Sequence, residues 1–91
     1  MNKNELVAEV AEKASIDKKD AAAAVDATFD AIVNALKGDE EVRITGFGTF
    51  WVSHSAERQG RDPRTGKPIT IAASKSPKFR PGKPFKDTVN G

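Results

Sequence analysis

The chain contains no cysteine, so disulfide bonds and thiolate metal sites are excluded. It has one histidine, His54, and no glycine-rich phosphate loop of the Gly-x-x-x-x-Gly-Lys-Ser/Thr type. The serines beside His54 would point to the opposite face of a strand, and no neighbour orients the imidazole as a base. We therefore predict no catalytic residues, no metal ligands, no cofactor and no enzymatic activity.

Long apolar runs are also missing, since none approaches the roughly 20 residues that span a bilayer. The first residues lead directly into an amphipathic pattern, so no signal peptide is expected and a cytoplasmic location is predicted. A hydrophobic content of 37% is ordinary for a folded domain. A 91-residue chain makes one small domain that buries roughly 60–65% of its unfolded surface, which favours a core shared between two copies.

The two halves of the chain carry opposite charge. Residues 1–45 hold six cations and ten acids, for a net charge of −4, whereas residues 46–91 hold nine cations and three acids, for +6. Such asymmetry indicates a nucleic-acid or membrane partner. Membrane binding would need an apolar face beside the cations, which the basic half lacks. Nucleic acid is therefore the predicted partner, and no membrane contact is expected.

The acidic half has the pattern of two helices. Asn2 and Glu5 have capping-box spacing, Asp17 is placed to cap a second helix, and Gly38 is placed to end it. Apolar residues recur at helical intervals in both segments. A helix-turn-helix reader is a weaker interpretation, because the second helix exposes acids rather than base-reading side chains. Core or dimer interface is the favoured role of both stripes.

The basic half changes to a period of two. Strands are predicted over 41–45 and 49–54, with a bend at 46–48, followed by a return strand containing Ile69 and Ile71, a further extended run around Phe79 and a short helix over 83–90. Trp51 falls on the face opposite Phe50, where it would either stack on a ligand or cover sheet surface, and covering the sheet is the favoured role. Phe47, Phe50 and Phe79 are predicted core residues.

Residues 53–76 hold too few large apolar residues to build a core, and a projecting hairpin arm fits them best. Asp62, Pro63 and Gly66 are turn chemistry at its tip. The cations Arg58, Arg61, Arg64 and Lys67 surround this turn, and a polyanion gives a reason for gathering them. A merely solvated loop is the plain alternative. RNA binding is a further alternative, but the chain lacks the surface aromatics that single-strand binding platforms use, apart from Trp51.

Three motifs carry a resemblance across the whole chain: GFGTF at 46–50, GRDPRTGK at 60–67 and FRPGK at 79–83. They closely resemble the bacterial histone-like DNA-binding proteins of the HU and integration-host-factor family. The resemblance implies one α+β domain over 1–91: two N-terminal helices, a three-stranded antiparallel sheet with a long β-ribbon arm at about 53–76, and a short C-terminal helix. It implies an intertwined dimer, with a helical dimerisation part and first strand over 1–45 and the sheet, arm and last helix over 46–91.

The same resemblance implies a role for individual residues. Pro63 would intercalate between base pairs from the minor groove at each arm tip. The remaining DNA contacts would come from Arg58, Arg61, Asp62, Arg64 and Lys67 on the arm, from Lys75, Lys78, Arg80, Lys83 and Lys86 on the saddle and flanks, and from Lys3. The implied function is architectural, largely sequence-independent bending and condensation of double-stranded DNA in the bacterial nucleoid, with bent, nicked or gapped DNA preferred.

Alternatives remain within and outside the family. The TIAA sequence at 70–73 is more typical of the HU type, whereas FRPG at 79–82 also suits the sequence-selective host-factor subunits. A homodimer is favoured over a heterodimer with a paralogue. A non-catalytic structural scaffold is the rival class, and it would bind DNA weakly and without salt dependence. Three positions depart from the family pattern: Asp62 replaces the usual asparagine, Trp51 replaces a small or polar residue, and Pro84 with Phe85 makes the last helix bulkier.

Overall fold

The computed structural model describes all residues, 1–91, as three helices and five strands. In chain order these are α1 (Lys3–Ala14), α2 (Lys18–Lys37), β1 (Val42–Ile44), β2 (Gly48–Ser55), β3 (Arg58–Arg61), β4 (Pro68–Ile71), β5 (Ser74–Pro81) and α3 (Lys83–Asn90). The predicted α+β class and the order of its elements are confirmed. No helix is long and apolar enough to cross a membrane.

Side chains and turn residues fix the helix ends where the sequence indicated. The Asn2 side chain accepts a hydrogen bond from the Glu5 N–H, and the Asp17 side chain accepts one from the Asp20 N–H, both at 2.9 Å. Ser15 ends α1 in the left-handed region, at φ 56°, and Gly38 ends α2. The two helices therefore pack as a hairpin on the short connector at 15–17.

The strands form two separate antiparallel sheets. The body sheet has the order β1-β2-β5, and β3 pairs only with β4. In the body sheet Phe50 lies opposite Phe79, Trp51 opposite Lys78, and His54 opposite Lys75. Where one continuous hairpin arm over 53–76 was predicted, pairing is interrupted at residues 56–57 and 72–73. We use "arm ribbon" for residues 58–71, which extend beyond this interruption.

Phenylalanines gather on the inner face of the body sheet. Phe79 is central, with ring centroids 5.4 Å from Phe47, 4.7 Å from Phe50 and 6.2 Å from Phe85, and Phe47 also stacks on Phe85 at 4.9 Å. The bulky Phe85 of α3 is therefore a member of this cluster and attaches the last helix to the sheet. The greater bulk of the last helix, noted in the sequence, is thus used for direct ring contacts with Phe47 and Phe79.

The single chain nevertheless buries very little. Only five of its 91 residues are buried, and four of these are hydrophobic. Phe29 is 48% exposed, Val33 61%, Phe47 43% and Phe79 38%. The radius of gyration is 18.9 Å, against roughly 12 Å for a compact domain of this length. The chain is therefore an extended body whose main apolar faces are uncovered in one copy.

Candidate nucleic-acid interface

The tip of the arm ribbon is a hydrogen-bonded turn built around Asp62. The Gly66 N–H donates to the Asp62 carbonyl at 2.7 Å, and the Asp62 N–H donates to the Lys67 carbonyl at 2.9 Å. Gly66 has φ 71°, which favours glycine. Pro63 is exposed at the apex of this turn. The turn thus presents the proline ring at the tip of the arm ribbon, and the two backbone hydrogen bonds of Asp62 close the turn behind it.

Asp62 stabilises the turn through its side chain, in the way that the turn chemistry of the sequence indicated. Its carboxylate oxygen Oδ1 accepts a hydrogen bond from the Arg64 N–H at 2.8 Å, which closes the first half of the turn. An asparagine carbonyl can accept the same bond, because it has the same reach and geometry. The side chain is therefore suited to the turn in either form, and only the negative charge is peculiar to the acid.

Asp62→Asn is expected to leave the fold unchanged and to strengthen duplex binding by roughly two- to five-fold. The substitution keeps the acceptor for the Arg64 N–H and removes a charge that repels phosphate. Affinity is measured with a labelled duplex at low salt, and Asp62→Ala serves as the control that removes both the charge and the bond. Unchanged or weaker binding by the asparagine variant would mean that this carboxylate lies away from phosphate.

The arm cations differ in whether their side chains have a partner within the protein. The Arg61 guanidinium donates to the Gly66 carbonyl at 2.9 Å and so braces the tip. The side chains of Arg58, Arg64 and Lys67 are exposed and make no ion pair. Three of the four predicted arm cations are therefore free to bind an anion, and the fourth also holds the turn together.

The outer face of the body sheet carries three more cations. Arg43, opposite Thr49, is paired with Glu41, whereas Lys78 and Arg80 make no ion pair. Because β2 and β5 are antiparallel, Trp51 shares a face with its partner Lys78 and with Arg80, which lies opposite Thr49. We call the surface formed by Thr49, Trp51, Lys78 and Arg80 the cationic face. It is the side of the sheet away from Phe50 and Phe79. Lys78 and Arg80 are thus brought together as predicted.

Lys75 differs from the expectation that it lines the same surface. It lies opposite His54, on the sheet side shared with Phe50 and Phe79. Its ammonium donates to the carbonyl of Lys37 at 3.0 Å and lies 3.5 Å from the Asp39 carboxylate, which is also 3.1 Å from His54 Nε2. The physical reason is alternation: Lys75 and Lys78 are three residues apart on β5, and an odd separation puts two side chains on opposite faces of a strand. Lys75 therefore ties the base of the arm to the end of α2.

The remaining predicted contacts lie on the helices. Lys83 and Lys86 are exposed on α3, where Lys83 is 4.0 Å from the Asp87 carboxylate. Lys3 forms an ion pair with Asp26, and the hydrogen bond and negative charge of that carboxylate, with a smaller effect of Asp30, raise the pKa of Lys3. Its charge is therefore compensated within the protein, unlike those of the arm.

No group of histidine, cysteine, aspartate or glutamate side chains is arranged to hold a metal ion. The features brought together are a basic ribbon with an exposed proline at its tip and a sheet face with two cations that make no ion pair. A polar, positively charged surface of this kind, built from strands, defines a protein that binds an extended polyanion.

Comparison with known proteins agrees with this class. The family model described as "Bacterial DNA-binding protein" matches residues 1–90. The chain is 56% identical to the DNA-binding protein HRL53 of Rhizobium leguminosarum over 91 residues, covering 100% of both. It is 54% identical to the DNA-binding protein HU-beta of Neisseria meningitidis over 89 residues, covering 98% of this chain and 100% of that protein.

Solved structures give the same result. A cocrystal structure of Anabaena HU with DNA matches with a TM-score of 0.87 and 42% identity, covering 98% of this chain and 97% of the other. HU from Thermotoga maritima, as the V42I mutant, matches with a TM-score of 0.73 and 37% identity over 98% and 99% of the two chains. The protein belongs to the bacterial DNA-binding protein family, and the resemblance noted in its sequence is confirmed.

Proposed function

We propose that the protein is an architectural, largely sequence-independent binder of double-stranded DNA that acts as a homodimer in the bacterial nucleoid. The observation that carries this proposal is the exposed basic arm ribbon with Pro63 at its tip, in a chain that aligns over nearly its full length with an HU protein cocrystallised with DNA. Three of the four relatives described above are named as HU proteins, which favours this type over a host-factor-like subunit.

Electrostatics would supply most of the affinity. Each Lys or Arg that neutralises a phosphate releases condensed counterions, and this term does not depend on sequence. Arg58, Arg64 and Lys67 on the arm, with Lys78 and Arg80 on the cationic face, are placed for it. Binding should therefore weaken steeply as salt is raised, in contrast to the behaviour of a non-catalytic scaffold.

Insertion of Pro63 would supply the bend. An apolar wedge that unstacks a base step costs a few kcal/mol and kinks the duplex, and the cost is offset by additional contacts on the bent DNA. A nicked, gapped or already bent duplex has part of this deformation in place. The protein should therefore prefer such DNA to an intact linear duplex and compact DNA by repeated bending.

Dimerisation follows from the uncovered apolar faces. Large apolar side chains are exposed on two faces of the single chain: Phe29 and Val33 on α2, and Phe47 and Phe79 at the body sheet. Contiguous apolar surface of this kind is typical of protein–protein interfaces. A second copy that covers these faces would complete the core, with residues 1–45 as the main dimerisation part and residues 46–91 as the DNA-binding part. Two arms would then extend from one body, and no catalytic role is proposed for any residue.

The test is a titration of labelled intact and centrally nicked duplexes of the same sequence, followed by fluorescence anisotropy over a range of salt. A steep salt dependence with tighter binding to the nicked duplex is expected. Weak binding that does not change with salt would reject the proposal and favour the scaffold class. A steep salt dependence without a preference for the nicked duplex would indicate non-specific electrostatic binding to DNA and would reject the bending role of Pro63.

Pro63→Ala is expected to reduce the preference for nicked DNA more than it reduces overall affinity. The variant keeps every arm cation and loses only the rigid wedge, so the nonspecific term is retained. The ratio of the two dissociation constants, nicked to intact, is compared between the variant and the unmodified protein. If both constants rise by the same factor, Pro63 is an ordinary contact and the bend has another origin. Pro68→Ala, at the start of β4, is the matched control.

A further inference from the structure

The single tryptophan lies on the cationic face, beside an arginine. The guanidinium carbon of Arg80 is 5.5 Å from the centroid of the Trp51 ring, within the roughly 6 Å range of cation–π attraction. The indole is half-buried, whereas Arg80 is exposed. The ring therefore forms the support and the guanidinium the more accessible partner.

Covering apolar sheet surface does not account for Trp51. The residue pairs on its face are Thr49 with Arg80, its own pair with Lys78, and Ser53 with Ser76. All four aromatic pairs of the protein are formed by phenylalanines, and none includes the indole. These neighbours are polar or cationic, so they offer the ring no apolar cluster to cover. Among its aromatic and cation–π contacts, the only partner of the indole is the Arg80 guanidinium.

Contact with the ring changes what Arg80 can do. An unsupported arginine has large rotamer entropy, which it loses when it binds an anion. A guanidinium kept on an aromatic face retains its planar fork of N–H donors, which is the geometry that binds phosphate oxygens in pairs. The ring thus prepares the cation for phosphate before DNA arrives.

We propose that Trp51 is a positioning residue of the DNA interface, whose indole holds the Arg80 guanidinium for a backbone phosphate and itself lies against the bound duplex. This inference rests on the proposed function, because it takes the cationic face as a surface covered by DNA. The ligand is the sugar–phosphate backbone, so no base preference follows from it.

A double-mutant cycle tests the coupling. Trp51→Ala is expected to weaken duplex binding by about two- to five-fold for each bound copy, the range of an exposed cation–π pair. It should leave the salt slope unchanged, because the charge of Arg80 remains. In an Arg80→Ala background the same substitution should have no further effect. In a Lys78→Ala background, where a cation of the same face is lost instead, the full effect should remain.

Conservative variants separate positioning from folding. Trp51→Phe keeps an aromatic face and should retain most of the affinity, and the thermal midpoint of each variant shows whether the fold is intact. An equal loss on Trp51→Ala with and without Arg80 would overturn the proposal, since the indole would then act independently of the guanidinium. So would a Trp51→Phe variant that is folded yet as weak as Trp51→Ala.

Fluorescence supplies a second readout, because this is the only tryptophan of the chain. Saturating unlabelled duplex should quench its emission and protect it from iodide. Binding that is complete by anisotropy of a labelled duplex, with an unresponsive indole, would overturn the inference and leave the proposed function standing. Absence of any duplex binding by the unmodified protein would instead reject the proposed function, and this inference with it.

Discussion

Gly48→Ala is expected to lower the free energy of unfolding by about 3 kcal/mol and the thermal midpoint by about 10–20 °C. A Cβ atom at this buried position would lie 2.6 Å from the carbonyl oxygen of Arg80 and 2.6 Å from two ring atoms of Phe79. Neither neighbour can yield, because one is strand backbone and the other is packed among three further phenylalanines. The strands β2 and β5 would have to separate.

Gly60→Ala is the matched control for this prediction. It is also a strand glycine without positive φ, but its nearest neighbour would be the Cδ1 atom of Ile71 at 2.9 Å, the mobile end of a side chain. A loss below about 1 kcal/mol is expected there. Thermal unfolding followed by circular dichroism measures both. Equal losses at the two positions would contradict the assignment of Gly48 as a steric requirement of the sheet.

Replacement of Arg58, Arg64 and Lys67 by alanine is expected to have the largest effect on DNA binding. If both arms of a homodimer use all three cations, up to six phosphate contacts disappear. The negative slope of log K against log salt should then become less steep by about 5. Affinity at low salt should drop by about two to three orders of magnitude. Arg61 is left in place because its bond to the Gly66 carbonyl holds the tip.

The control for charge alone is the triple replacement of Lys13, Lys19 and Lys37 by alanine. These helix residues are exposed and make no ion pair, so the change in net charge is the same. Their loss should leave the salt slope almost unchanged. If the helix variant lost as much DNA affinity as the arm variant, affinity would depend on the overall charge of the protein and not on the position of the arm cations.

Local signals in the sequence were sufficient for most of the architecture. The caps at Asn2 and Asp17 and the stop at Gly38 depend only on residues within one turn, and all three are confirmed. The predicted terminal helix over 83–90 is confirmed. Pro84 is compatible with it because an amide in the first turn has no helical hydrogen-bond partner to lose. The sequence also predicted the basic turn and the position of Pro63 at its tip.

The sequence did not show where strand pairing continues and where it stops. Lys75 and Lys78 are three residues apart, and they take opposite faces because β5 is unbroken from Ser74 to Pro81. Pairing is then interrupted at residues 56–57 and 72–73, before the arm ribbon. By contrast, the bond that the Arg64 N–H donates to the Asp62 carboxylate joins residues two apart, and the turn chemistry of the sequence indicated it.

The interruption between the body sheet and the arm ribbon has a kinetic consequence. A two-stranded ribbon without a third strand or a core beneath it is only marginally stable by itself. Each ribbon of a dimer should therefore leave the groove separately, while the other ribbon and the cationic face keep the complex together. Dissociation would begin with a half-released state that either closes again or is captured by a second DNA molecule. The lifetime of the complex should then shorten as free DNA becomes more concentrated, so that a tightly bound protein still exchanges readily between DNA segments.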